Sequence, residues 1–270
     1  MKDLDEKYRE ILENLTIMDD IFMRNVFKDA ACTEYILKII LNRTDITVSE
    51  QILQKDYKNL RGRSAILDCV ARDSSGKIYD IEIQQADEGA SPKRARYYSS
   101  LMDLDALKPG QDFEELPESY VIFITERDVL GKGLAIYHAD RKLRESGEDF
   151  EDHAHIIYVN ASNREDNPLG RLMHDLNCSR ADDIYSENLA RRVRELKETQ
   201  KEGDNMACRE LKKLLEEERE EGRMELAQRT VYSLAKRGMP LKEIAEIVQV
   251  DLPQAENWVE EAQRKSFAVK

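Results

Sequence analysis

Two acidic residues occupy a predicted β-hairpin in the stretch ILDCVARDSSGKIYDIEIQ, residues 66–84. The segment DSSGK favours a type I turn followed by glycine in the left-handed conformation, so that Asp73 pairs with Lys77. Continued along both strands, this register places Asp68 directly opposite Glu82. Side chains opposite each other on one face lie about 5 Å apart, and like charges there are destabilising. We therefore expect two carboxylates that need a counter-charge or a raised pKa.

A divalent metal is the simplest counter-charge. Alternation along the second strand places Asp80, Glu82 and Gln84 on the face toward which Asp68 also points. Asp68, Glu82 and the backbone carbonyl between Glu82 and Gln84 offer the hard oxygen ligands that Mg²⁺ or Mn²⁺ prefers, and such a site leaves positions open for a phosphate. A cation bound there lowers the pKa of its water and stabilises charge on phosphoryl oxygens, so the pattern indicates phosphodiester hydrolysis.

A hairpin face that is wet on one side explains the same alternation without any function. Two features favour a buried site instead. The apolar residues Ile66, Val70 and Ile78 share the predicted carboxylate face, and the following helix carries Arg94, Arg96 and Tyr98, which can fold over that face.

Apolar periodicity predicts the elements that must position these residues. Continuous Val- and Ile-rich runs are typical of strands buried on both faces, and a Ser-Pro pair is a helix-entry signal. The predicted elements are a helical pattern from about Asp19 to Leu41, an irregular strand over residues 46–57, a helix opened by Ser91-Pro92, and buried strands at 119–125 and 155–160. Together they predict an α/β fold in which a mixed central sheet is flanked by helices.

The character of the chain changes near residue 186. From Ser186 to about Arg229 the sequence is dominated by Glu, Lys and Arg, which predicts a long solvated helix. Residues 231–263 predict a small helical unit that is similar to a helix-turn-helix, in which Gly238 ends one helix and Pro253 opens another. Acidic residues on its candidate recognition helix disfavour DNA, so we interpret it as a packing or oligomerisation unit, with a DNA-binding regulator as the alternative.

The composition limits the partners of this 270-residue chain. A net charge of −13 argues against broad, unaided binding of nucleic acid, because phosphate is repelled at long range. Residues 55–108 nevertheless hold ten Lys and Arg against nine Asp and Glu, so a neutral-to-basic face around the hairpin remains open. The absence of an apolar run of about 18 residues and of a signal core predicts a cytoplasmic protein with no membrane partner. Four cysteines without CxxC spacing predict neither a zinc site nor a disulfide framework.

The order Asp, hairpin, Glu-x-Gln resembles the metal site of PD-(D/E)xK nucleases. The chain is most similar to the recombination-promoting nuclease and transposase branch of that superfamily. The similarity rests on LTIMDDIFMRNVF, on the hairpin, on KRARYYSSLMD followed by PESYVIFIT, and on EEREEGR in the charged helix. It covers most of residues 15–230. The resemblance implies a restriction-endonuclease-like fold and cleavage of DNA with Mg²⁺ or Mn²⁺.

The resemblance also implies roles for individual residues. Asp68 and Glu82 become metal ligands, and Gln84 stands where most of the superfamily has a catalytic lysine. Gln84 can orient an attacking water by hydrogen bonding but cannot supply positive charge. Asp20 matches an acid of the branch and is a candidate additional catalytic residue, although a helix N-cap or a first-turn charge explains it equally well.

Arg94 and Tyr98 match an arginine and a tyrosine of the branch, and at i and i+4 they share a helix face. The resemblance implies that they hold the substrate phosphate. The alternative is that Arg94 pairs with a carboxylate of the site. Asp80 is either a group that surrounds the metal ligands or a solvated strand residue, and we favour the solvated residue.

We therefore expect a nuclease-like domain over residues 1–180, a charged helical arm over 181–230 and a small helical unit over 231–270. The expected function is a divalent-metal-dependent DNA endonuclease. The alternative is a catalytically inactive nuclease-like module whose core and arm mediate protein association, which the missing lysine and the acidic surface favour. The arm is also a candidate surface for homo-oligomerisation.

Overall fold

The computed structural model describes residues 11–57, 64–85, 87–198 and 206–267. The chain divides into two compact units, Met1–Leu211 and Lys212–Lys270. The first unit contains a mixed six-stranded sheet with helices on both faces, which is the expected α/β fold. The second unit consists of helices in its described part. The boundaries predicted at residues 180 and 230 stay predictions.

The sheet has the strand order β1-β2-β3-β4-β6-β5. Its strands are β1 (Val48–Tyr57), β2 (Ala65–Asp73), β3 (Ile78–Gln84), β4 (Ser119–Thr125), β5 (Ile136–Ala139) and β6 (Ala154–Asn160). Strands β3, β4 and β6 run parallel to one another, whereas β1, β2 and β5 pair antiparallel with their neighbours. The two apolar runs predicted as buried strands are confirmed as β4 and β6, and they occupy interior positions because both of their faces are covered.

The hairpin between β2 and β3 has the predicted register. Arg72 pairs with Ile78 and Cys69 pairs with Ile81, and Gly76 adopts a φ of +91° in the turn, where an L side chain would be strained. Asp73 closes the turn with its buried carboxylate. Its Oδ1 accepts hydrogen bonds from the N–H groups of Ser75 (2.9 Å) and Lys77 (3.0 Å) and from the Ser75 hydroxyl (2.7 Å). Its Oδ2 accepts from the Tyr79 hydroxyl at 2.8 Å.

Because side chains alternate along the strands, an apolar layer forms on each face of the sheet. Ile81 and Ile122 pack on one face against α1 (Asp20–Val26), α2 (Ala30–Ile40), α4 (Pro168–Leu176) and α5 (Glu187–Glu198). Val121 and Phe123 pack on the other face against α3 (Pro92–Ala106), which Ser91 caps by accepting from the Arg94 N–H. The helical pattern predicted from Asp19 to Leu41 forms two helices, since the chain turns between Val26 and Ala30.

The prediction of a long solvated helix from Ser186 onward is wrong for the first part of that segment. Helix α5 buries Leu189, Val193 and Leu196 in the first apolar layer, because these residues repeat at helical spacing within the charged sequence. The long helix α6 spans Met206–Lys236, and α7 (Leu241–Val248) and α8 (Leu252–Phe267) follow it. The stop at Gly238 is confirmed by its φ of +85°. The acidic side chains of Glu260 and Glu261, which counted against DNA binding by this unit, lie outside the described residues.

We expect Asp73→Ala to lower the free energy of unfolding by about 2–3 kcal/mol, because it removes the acceptor for three turn donors and for a buried tyrosine hydroxyl. Urea denaturation measures this loss. Asp73→Asn keeps an acceptor oxygen and should lose less, and Ser74→Ala, at an exposed position of the same turn, is the matched control. Equal stability of Asp73→Ala and Ser74→Ala would show that the carboxylate does not hold the hairpin.

Candidate active site

The site is centred on Glu82, whose side chain is fully buried on β3. The ordinary β2–β3 ladder ends at the pair Cys69 and Ile81, and beyond it the backbone N–H of Asp68 donates to Glu82 Oε1 at 2.8 Å. A side chain therefore takes the place of a backbone acceptor at the point where the two acidic residues meet. Asp68 itself is partly buried, so the two carboxylates do not both reach bulk water, and the charge of Asp68 acts on Glu82.

A residue that the sequence analysis missed, Gln54, contacts Asp68 from β1. Its Nε2 donates to Asp68 Oδ1 at 3.1 Å, and its φ of +51° is uncommon for a residue other than glycine. Pairing between β1 and β2 skips this position, passing from Leu53 and Cys69 to Lys55 and Leu67. No spacing signal in the sequence marks Gln54, because its role depends on this local irregularity in the pairing of the two strands.

The apolar residues that cover the site differ in part from those predicted. Val70 and Ile78 pack in the layer under α3, as predicted. The prediction for Ile66 is wrong: its side chain is exposed, and Leu67 packs in that layer instead. Leu67 and Val70 are three positions apart on β2, so regular alternation would place them on opposite faces of the sheet. Both lie in the layer under α3, and the alternation of β2 therefore breaks beside Asp68.

Burial and like charge raise the pKa values of the acidic group. Burial raises the pKa of Glu82 to about 8, and the neighbouring charge of Asp68 adds to the rise. Burial raises the pKa of Asp68 to about 6, with Asp20 as the next contributor. These shifts mean that the site favours either protons or a cation over free negative charge.

Asp80 is a third member of this group, and its interpretation as a solvated strand residue is wrong. Its side chain is fully buried, and neither carboxylate oxygen has a hydrogen-bond partner within the described part of the chain. Burial, followed by the charges of Glu82 and Asp68, raises its pKa well above the ordinary value. Helix α3 covers this face of the sheet, which alternation alone could not reveal.

Asp20 lies at the first position of α1, after Asp19 at the N-cap. Its Oδ1 accepts a hydrogen bond from Arg24 Nε at 3.0 Å, and the two residues, one helical turn apart, form an ion pair. Asp20 is also near enough to Asp68 to raise the pKa of that carboxyl. The geometry therefore supports a first-turn charge and, at the same time, a position at the border of the acidic group.

Arg94 and Tyr98 meet the site from α3. Arg94 Nη2 is 3.7 Å from Glu82 Oε2, and its Nε donates to the Tyr98 hydroxyl at 2.6 Å. Tyr98 is buried, whereas the Arg94 side chain keeps 36% of its surface exposed. The tyrosine thus holds the guanidinium in a fixed direction beside the carboxylate, with part of its planar fork still open to a ligand.

Gln84 closes the site at the end of β3. Its Nε2 lies 3.5 Å from Glu82 Oε2, which is a weak contact. Its carboxamide rests against Gly89, where an added Cβ would come within 1.9 Å of Gln84 Oε1. A side chain at position 89 would displace the Gln84 carboxamide from this place, and the sequence offers no sign of the pairing.

The donor set fits a hard divalent cation. Within residues 11–57, 64–85, 87–198 and 206–267, no group of three or more His, Cys, Asp or Glu side chains is arranged to hold a metal. Mg²⁺ typically uses only one or two carboxylates together with water and substrate phosphate. Asp68 and Glu82 supply that number, and Arg94, whose Nη2 is 3.7 Å from Glu82 Oε2, carries only one positive charge beside several buried carboxyl groups.

The family comparison adds an independent observation. A family model described as PD-(D/E)XK nuclease family transposase matches residues 33–237, which is most of the chain. The chain belongs to this PD-(D/E)XK family. No curated protein and no solved structure matches it.

The match to the PD-(D/E)XK family includes Asp68, Glu82, Gln84, Arg94 and Tyr98, whereas Asp20 precedes it. Membership supports a nuclease or transposase-like function and implies a DNA substrate. PD-(D/E)XK nucleases generally use divalent metals. In the described part of the chain, no helix is both long enough and apolar enough to cross a membrane.

In EDTA, Glu82→Gln should stabilise the protein more at high pH than at low pH. Carboxyls with raised pKa values bind protons more tightly in the folded state than in the unfolded state. Their contribution to the free energy of unfolding is therefore complete below the unfolded pKa values of about 4. It is lost as the pH rises through the folded pKa values, about 6 for Asp68 and about 8 for Glu82. We expect the stability difference between Glu82→Gln and wild type to grow by about 2 kcal/mol or more from pH 5 to pH 8.5. Melting curves measure it, with Glu126→Gln at an exposed position as the control. Parallel pH profiles for wild type and Glu82→Gln would refute the buried charge.

Gly89→Ala should cost about 1 kcal/mol of stability when Gln84 is present, because the new Cβ displaces the carboxamide. The cost should vanish in a Gln84→Ala background, where the clashing atoms are gone. A double-mutant cycle of unfolding free energies measures the coupling. The same cost in both backgrounds would mean that Gly89 does not seat Gln84.

Proposed function

We propose that this protein is a divalent-metal-dependent DNA endonuclease that hydrolyses phosphodiester bonds, with Mg²⁺ or Mn²⁺ as its cofactor. The observation that carries the proposal is the contact between Glu82 and the Asp68 backbone within a buried, under-neutralised acidic group. Family membership supports the same reaction class. Strand transfer is not part of the proposal.

Asp68 and Glu82 would hold the cation. When bound, it lowers the pKa of a coordinated water and stabilises the charge that develops on the phosphoryl oxygens. Glu82 keeps one oxygen engaged by the Asp68 N–H, which fixes the direction of its carboxylate. Asp20, on the border of the group, is a candidate additional acid that adds negative potential near Asp68.

Gln84 would orient the attacking water through its carboxamide, at the position where most of the superfamily has lysine. A neutral amide orients a water but does not lower the pKa of that water as a lysine cation would. The positive charge near the reacting phosphate would come from Arg94. Tyr98 positions Arg94 through the 2.6 Å hydrogen bond and by stacking, with the guanidinium carbon 5.0 Å from the ring centroid.

The second candidate function is a catalytically inactive nuclease-like module that mediates protein association. Gln84 in place of a lysine favours it. The charged arm stays a candidate homo-oligomerisation surface in this proposal, and Leu226 of α6 is exposed there. The predicted cytoplasmic location and the DNA-binding regulator built on the last helices are untested predictions.

Purified full-length protein with Mg²⁺ or Mn²⁺ should nick or cut plasmid DNA, and Glu82→Ala should reduce the rate by at least about 100-fold. Asp68→Asn should do the same, because it removes a ligand charge with little change in shape. Glu126→Gln is the matched control, and melting curves confirm that each variant folds.

The outcomes separate the two candidate functions. A metal-dependent rise in melting temperature that Glu82→Ala abolishes, without cleavage, would indicate an intact cation site in an inactive module. Cleavage at equal rates by wild type and Glu82→Ala would reject the proposed site.

A further inference from the structure

A cavity of about 640 Å³ lies between the start of β2 and the first turns of α3. Its lining includes Ser64, Ile66, Lys93, Arg94, Tyr97 and Tyr98. Arg94 and Tyr98 belong to the candidate active site, and Ile66 is two residues before Asp68 on the same strand. The cavity therefore shares Arg94 and Tyr98 with the candidate active site.

The lining has two kinds of surface. Lys93 and Arg94 provide positive charge, and no carboxylate of the described residues joins them in the wall. Ile66, with 52% of its surface exposed, and Tyr97 provide apolar and aromatic surface. One exposed isoleucine means little by itself. An exposed isoleucine beside a tyrosine and two cations suits a ligand that is anionic at one end and flat and apolar at the other.

A nucleotide has this chemistry. Its phosphate accepts hydrogen bonds from Arg and Lys, and its base stacks on aromatic or apolar side chains without regard to sequence. The volume lies within the range of about 300–1,000 Å³ that is usual for small-ligand pockets, and it suits one nucleotide rather than a length of duplex. A base in a duplex is covered on both faces by its neighbours, so only an unstacked base can enter.

We propose that this cavity binds one unstacked nucleotide next to the scissile phosphate, so that the enzyme prefers DNA that is single-stranded or locally unpaired. The inference rests on the proposed function and specifies its substrate class. The net charge of −13 disfavours binding along an extended basic surface. Binding of one nucleotide needs only a stacking surface and the two local cations, so it is compatible with that charge.

The test measures binding of wild-type full-length protein in EDTA, where no cleavage occurs, to a fluorescent single-stranded oligonucleotide and to the duplex of the same sequence. We expect the single strand to bind at least about 10-fold more tightly. Tyr97→Ala should weaken single-strand binding by about 10-fold, whereas Tyr97→Trp should retain it, because the indole also stacks.

Two further variants keep the test decisive. Ile66→Glu, at a half-exposed position where folding is not at risk, should weaken binding of the single strand by a similar factor. Lys108→Glu, which changes a charge beyond the other end of α3, is the control and should have little effect. Unchanged binding by both Tyr97→Ala and Ile66→Glu, or equal affinity for single strand and duplex, would overturn the proposal.

The binding and cleavage experiments distinguish failure of the nucleotide site from failure of the nuclease proposal. Selective single-strand binding that depends on Tyr97 and Ile66, without any cleavage in Mg²⁺, would retain the nucleotide site and reject the nuclease. Cleavage of duplex and single-stranded DNA at equal rates, with binding insensitive to both variants, would retain the nuclease and reject the nucleotide site.

Discussion

The contact on which the site depends is between a buried carboxylate and a backbone amide of the neighbouring strand. Glu82 occupies an interior strand, where an apolar residue would stabilise the sheet, and its Oε1 takes the Asp68 N–H that the ladder leaves free. This bond holds Glu82 in place and brings a second carboxylate beside it. Burial of these carboxylates, to which their mutual repulsion adds, is the physical reason for the raised pKa values of the site.

The mixed sheet makes this arrangement possible. Strand β3 pairs antiparallel with β2 on one side, which allows a short hairpin to set the register of the two acids. On its other side β3 pairs parallel with β4, whose buried Ile122 and Ile124 and buried Val121 and Phe123 cover opposite faces. The acidic group is therefore set against a rigid, fully packed strand pair. A site on such elements keeps its geometry better than one on loops.

Stability and chemistry oppose each other at this position. Three carboxyl groups are wholly or largely buried, with Arg94 beside Glu82 and the charge of Arg24 acting on Asp68. Both oxygens of Asp80 lack a hydrogen-bond partner in the described part of the chain. Such groups cost free energy unless protons or a cation neutralise them. The apolar layers of β4, β6 and the helices around them supply the stability that offsets this cost. Gln84, at the end of β3, is neutral and adds no positive charge to the group.

The sequence by itself determined the hairpin and the acidic residues that it carries. The register that brings Asp68 to Glu82, the buried strands β4 and β6, the Ser-Pro start of α3 and the shared face of Arg94 and Tyr98 all follow from local rules of turn type, strand alternation and helical spacing. These rules depend only on neighbours along the chain.

Only the tertiary structure decided which of these residues are buried and what completes the site. Gln54 reaches Asp68 from a strand whose pairing is irregular, Asp80 lies under α3 instead of in water, and Gly89 approaches Gln84 with no room for a side chain. The same is true of α5, which packs in the core although its sequence is highly charged. Burial and contact between distant segments depend on which element covers which face, and that choice is made by the packing of the whole sheet rather than by local periodicity.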